Sequence, residues 1–92
     1  MDIIDVKALE IRDYAISQGW ILVKEALKDG LFVLNSPTED FTELIFPKDD
    51  SISEYQEMAM VSVRRLTEFY KLPMSKVVED IKNNNQGVRN AK

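Results

Sequence analysis

The chain has 92 residues, 45% of them hydrophobic and 30% charged, with a net charge of −4, a balance that points to one small globular domain and excludes a disordered chain. It has no cysteine and no histidine, which removes disulfides, thiolate nucleophiles, Cys-based zinc sites and the side chain best suited to proton transfer near neutral pH. No apolar run approaches the roughly 20 residues that span a bilayer, and MDIIDVKALE lacks the basic and apolar regions of a signal peptide, so the expected location is the cytoplasm.

A first helix is predicted over residues 4–17, where Ile4, Ala8, Ile11 and Ala15 recur at helical spacing, with Asp2 or Asp5 to cap it and Gly19 to end it. Trp20 to Glu25 reads as a strand, and Asp29-Gly30 offers the positive-φ positions of a reversal, in a loop of two residues or more. Leu31 to Leu34 is the second strand, broken by Asn35-Ser36-Pro37, and a third is predicted over residues 41–46 after the acidic loop Thr38 to Asp40. Ser51 with Glu54, and Ser53 with Gln56, have capping-box spacing ahead of a long helix over residues 54–70, whose stripe is Tyr55, Met58, Ala59, Ser62, Leu66 and Phe69. Pro73 stops that helix, and either Pro73 or Ser75 opens a short third one carrying Val77, Val78 and Ile81. Asn83 to Gly87 reads as a polar exit, so residues 1–87 form one domain and 88–92 a flexible tail. The expected fold is α+β, in the order α-β-β-β-α-α, with a three-stranded antiparallel meander and helices packed on one face.

That arrangement raises a question about the sheet. Trp20 and Leu22 point opposite to Ile21 and Val23, Leu31 and Val33 opposite to Phe32 and Leu34, and Leu44 and Phe46 opposite to Phe41 and Ile45. Both faces are mostly apolar, although helices on one side need only one of them. Either the third helix folds across the second face, or that face meets a partner. The residues taken as the candidate protein interface are Ile21, Val23, Phe32, Leu34 and Ile45.

The acidic groups suggest caps rather than catalysis. Glu39, Asp40 and Glu43 form one cluster, on which a metal-dependent hydrolase could be built, Asp49 and Asp50 another, and Glu54 with Glu57 a helical pair, but no spacing matches a calcium loop, and Asp49 and Asp50 fit the dipole at a helix start. No Ser-x-x-Lys stretch occurs, and Gly19, Gly30 and Gly87 are too far apart to cradle a phosphate. No catalytic residue, metal or cofactor is expected. The charge is uneven: residues 1–63 carry five Lys/Arg against thirteen Asp/Glu, and residues 64–92 carry seven against three. Arg64, Arg65, Lys71, Lys76 and Lys82 are therefore the candidate contacts to nucleic acid or an acidic partner, although stacking aromatics beside them are limited to Phe69 and Tyr70.

The stretch YAISQGWILVKEALKDGLFVLN, followed by LIFPKDD, resembles the HicA toxins, small bacterial mRNA interferases of the double-stranded-RNA-binding-domain type. Gly19-Trp20, Phe32 and Ile45-Phe46-Pro47 sit in matching order, and the resemblance, covering about residues 8–70, implies an αβββα unit. The family's catalytic histidine lies in a Gly-Ser/Thr-His motif at the start of the second strand. The matching place here reads Gly30-Leu31-Phe32, so the resemblance carries over no nuclease residue. Thr42 to Phe46 followed by two helices split at KLPMSKVVEDI also looks like a ribbon-helix-helix DNA-binding module, but its strand would offer Glu43 to phosphates. The expected function is a small non-enzymatic binding module, an inhibitor, antitoxin-like protein or accessory subunit of a bacterial or phage system. Its partner would be a protein or a second copy, with nucleic acid as the alternative and no membrane contact.

Overall fold

An extended segment at residues 4–7 buries Ile4 and Val6 at alternate positions, so the first helix starts four residues later than its periodicity predicts. The structure, a computed structural model, describes residues 4–90. Tertiary bonds hold the extended segment open. The Ile4 N–H donates to Gln56 Oε1 at 2.9 Å, Gln56 Nε2 donates back to the Ile4 carbonyl at 3.2 Å, and the Tyr55 hydroxyl donates to the Val6 carbonyl at 2.7 Å. Helix α1, Ala8–Ser17, is then capped from far along the chain, because Ala8 N–H donates to Asp50 Oδ2 at 3.0 Å. The capping boxes predicted ahead of the helix over residues 54–70 are absent, one through a distant partner and one through a local turn. Gln56 serves Ile4, the Ser51 hydroxyl donates to Asp49, and no side chain caps that helix.

The first strand, β1, is Ile21–Leu22, shorter than the predicted Trp20–Glu25. Val23 N–H still reaches the Val33 carbonyl at 2.8 Å. The chain then coils into a 3₁₀ helix, Lys24–Asp29, that Gly30 ends at φ +79°, a left-handed conformation in which glycine carries no Cβ penalty. Strands β2, Leu31–Asn35, and β3, Glu43–Pro47, complete an antiparallel sheet in the order β1-β2-β3. Its register sets Leu22 opposite Leu34, Phe32 opposite Phe46, Leu34 opposite Leu44 and Val33 opposite Ile45.

Helix α2, Tyr55–Tyr70, ends at Lys71, which takes the left-handed conformation at φ +56°. Helix α3, Met74–Asn90, begins after Pro73, whose carbonyl accepts from the Lys76 and Val77 N–H groups. It continues through Asn83 to Gly87, where the sequence predicted an exit. Asparagine and glycine weaken a helix by at most about 1 kcal/mol each, whereas proline, which ends one, is missing there. Of the predicted tail, residues 91–92 lie outside the described residues. Val77 and Ile81, one turn apart and both fully buried, seat α3 against α1 and α2. All three helices therefore lie on the face that carries Phe32, Leu34, Leu44 and Phe46, and α3 does not fold across the other.

Candidate interaction surface

Residues 43, 45 and 47 turn their backbone groups away from β2, because the Ile45 N–H and carbonyl are both taken by α2. Ser62 Oγ accepts from Ile45 N–H at 3.1 Å and donates to its carbonyl at 3.0 Å. Arg65 Nη1 donates to the Glu43 carbonyl at 2.6 Å, and Pro47 has no N–H to offer. A free strand edge is a template for pairing with another chain. Here α2 and a proline close it. Nothing in the sequence signalled this, for Ser62 reads simply as one position of the helix stripe.

The open surface is instead the outer face of the sheet. Ile21 lies there 62% exposed, and Leu31, Val33 and Ile45 are half-buried beside it. Val61 of α2, 37% exposed, continues the patch, sharing a shallow cleft with Ile45, Glu57, Met58 and Arg65. At one end stands Phe41, 90% exposed and at φ +62°. A left-handed backbone costs a bulky residue roughly 1–2 kcal/mol, and the loop holds it there. Asp40 Oδ1 accepts from the buried Ser36 hydroxyl at 2.7 Å and from Thr42 N–H at 3.1 Å. Those bonds, the hydroxyl's first, hold the Asp40 carboxyl below the usual carboxylate range. Between Phe41 and α2 lies a cleft of about 540 Å³ lined by Asp40, Glu43, Arg65, Glu68 and Phe69.

The five residues expected at the interface divide between the two faces. Ile21, Val23 and Ile45 lie on the outer side, Val23 half-buried where β1 passes into the 3₁₀ helix. Phe32 and Leu34 belong to the core, 4% and 0% exposed. The correction follows from register: Phe32 faces Phe46 and Leu34 faces Leu44, so the outer residues of β2 are Leu31 and Val33. Strand-face parity within each run was readable from the sequence, but which parity faced the helices was not. Phe41 was missed as well, being read as part of the third strand.

The basic candidates are dispersed. Lys76 pairs with Asp80 at 3.3 Å, and Lys82 with Asp5 at 2.9 Å, whose hydrogen bond and charge draw the Asp5 carboxyl down. Arg65 is turned to the sheet edge, while Arg64 is exposed on α2 and Lys71 is exposed at its left-handed C-terminal cap. Among the described residues no group of three or more His, Cys, Asp or Glu side chains comes together as a metal ion would need, Glu39, Asp40 and Glu43 included. No described helix is long and apolar enough to cross a membrane. No family model, curated protein or solved structure matches the chain.

Proposed function

We propose that the chain is a non-enzymatic protein-binding module of the cytoplasm, an inhibitor, antitoxin-like protein or accessory subunit, that docks its partner on the open face of the sheet. The observation that carries this reading is the patch of Ile21, Leu31, Val33, Ile45, Val61 and Phe41 with no described helix above it. Burying such a patch favours association at about 25 cal/mol per Å², and aromatic anchors at an interface carry a large share of the binding energy. The closed edge of β3 supports docking on the face over strand addition there. The partner's chemistry follows from the rim: Asp40, Glu43 and Glu68 line the cleft beside Phe41, with Arg65 among them bonded to the Glu43 carbonyl. A partner surface that is apolar at its centre and carries lysine or arginine at one border fits that pattern. The absence of histidine and cysteine supports binding in place of chemistry.

The test uses a partner captured by the wild-type chain, then Ile45→Asp and Phe41→Ala beside Arg64→Glu with Lys71→Glu. Face variants should lose the partner and the helix pair should retain it. Loss confined to the helix pair, with salt-sensitive binding of RNA or DNA, would overturn the proposal.

A further inference from the structure

On the helical side, away from the sheet's open face, α1, the end of α2 and α3 enclose a groove of about 420 Å³. Tyr14, Gln18, Tyr70, Leu72, Asp80 and Asn84 line it, together with Asn83. Tyr14 is 5% exposed, and its hydroxyl lies near Tyr70 and Asp80. The Tyr70 oxygen accepts from the Trp20 indole N–H at 2.9 Å, leaving its own proton to donate. Asn84 Nδ2 is buried without a partner among the described residues. Buried polar groups are normally satisfied, and one left unmade costs about 1–3 kcal/mol. An unpaired buried donor beside a groove is poor core packing and good ligand recognition.

The charge selects the ligand. Asp80 is the charged residue in the lining, and Lys76, its ion-pair partner, is not part of it. Anions are therefore disfavoured. Burial first, then the nearby Tyr70 and Asp80, push the Tyr14 hydroxyl up to about 12, so at neutral pH it keeps its proton and can both donate and accept.

We propose that this groove binds a small organic cation carrying an oxygen acceptor beside its charge. The ammonium meets Asp80 and the tyrosine oxygens, and the ligand oxygen takes the proton that Asn84 Nδ2 offers. An amino amide is the simplest molecule with both features. The site is independent of the sheet face, so each proposal survives failure of the other.

The experiment is an NMR titration of the full chain with glycinamide, acetamide, ammonium chloride and sodium acetate at constant ionic strength. Glycinamide should produce saturable shifts at Tyr14, Tyr70 and the Asn84 side-chain amide, with acetamide and ammonium each about tenfold weaker, the scale of one hydrogen bond to a charged group. Asp80→Asn and Tyr14→Phe should each weaken glycinamide by about the same factor, while their backbone spectra remain those of the folded protein. Shifts that stay linear with every probe would overturn the proposal, as would acetate binding as well as glycinamide or glycinamide binding unchanged in Asp80→Asn. Should Tyr14→Phe not fold, Asp80→Asn and the probe series decide alone.

Discussion

The two faces of the β2–β3 ladder come from the same ten residues and differ in what covers them. On the inner face Phe32, Leu34, Leu44 and Phe46 are at most 4% exposed, and the Phe32 and Phe46 rings meet edge to face at 5.7 Å. On the outer face Leu31, Val33 and Ile45 are nearly as apolar but half-buried, with no described helix above them. Stability requires the first set. It does not require the second, for a sheet covered on one side can be polar on the other. The difference teaches that residue type marks where a strand is, and that cover decides what its residues are for.

Substitutions can break or sharpen this contrast. The largest effect is expected at Leu44→Ala, which opens a cavity in the core and should cost about 2–5 kcal/mol in urea unfolding. Val33→Thr on the outer face should cost less than about 1 kcal/mol by the same measurement, the usual range for sites away from the core. Equal losses would mean that the two faces are equally packed. Next comes Ser62→Ala, which leaves the Ile45 N–H and carbonyl without partners at about 1–3 kcal/mol. Phe41→Gly should have the opposite sign, stabilising the fold by up to about 1 kcal/mol because glycine takes a positive φ without a Cβ penalty, while capture of the partner falls.

The smallest effect is on pH dependence. Tyr14, pushed up to about 12, ionises near 10 in the unfolded chain. Its contribution to stability is therefore complete below pH 10 and disappears as pH rises from there through 12. Tyr55, raised by burial and by Asp50 and Glu10, acts in the same direction. Thermal midpoints should fall across that alkaline range, less steeply in Tyr14→Phe. On the acid side, Asp40 and Asp49 are held below the usual carboxylate range by the hydroxyls of Ser36 and Ser51. What they contribute is present above the unfolded carboxylate pKa and is lost as pH falls through their folded values.

The element order was legible because each element carries its own signal: Val77 and Ile81 one helical turn apart, Leu31 to Leu34 a short apolar run bounded by Gly30 and Asn35. Boundaries failed wherever a distant residue took over a local group. Ile4 to Lys7 fall in a stretch read as helical but are held extended by Gln56 and Tyr55, and Gln56, with the spacing of a capping box, bonds Ile4 instead. The strand after Trp20 was overextended because a 3₁₀ helix and a strand draw on the same short mixed run of residues. As for the surface, parity sorts each strand into two sets, but parity without register has two solutions, so Ile21 and Ile45 stood beside Phe32 and Leu34 until the register separated them. Phe41 could not be found by pattern, since its exposure depends on a turn built by Asp40 and Ser36.

The strap that fastens residues 4–8 to residues 50–56 joins positions 42 to 52 apart in the chain. A protein is made from its first residue onward, at roughly 5–20 residues per second. Ile4 and Val6 thus emerge several seconds before the side chains that bind them exist. Until then the backbone groups of Ile4 and Val6 have neither Gln56 nor Tyr55 to bond. The earlier-made segment can reach its final place only once the later one has arrived.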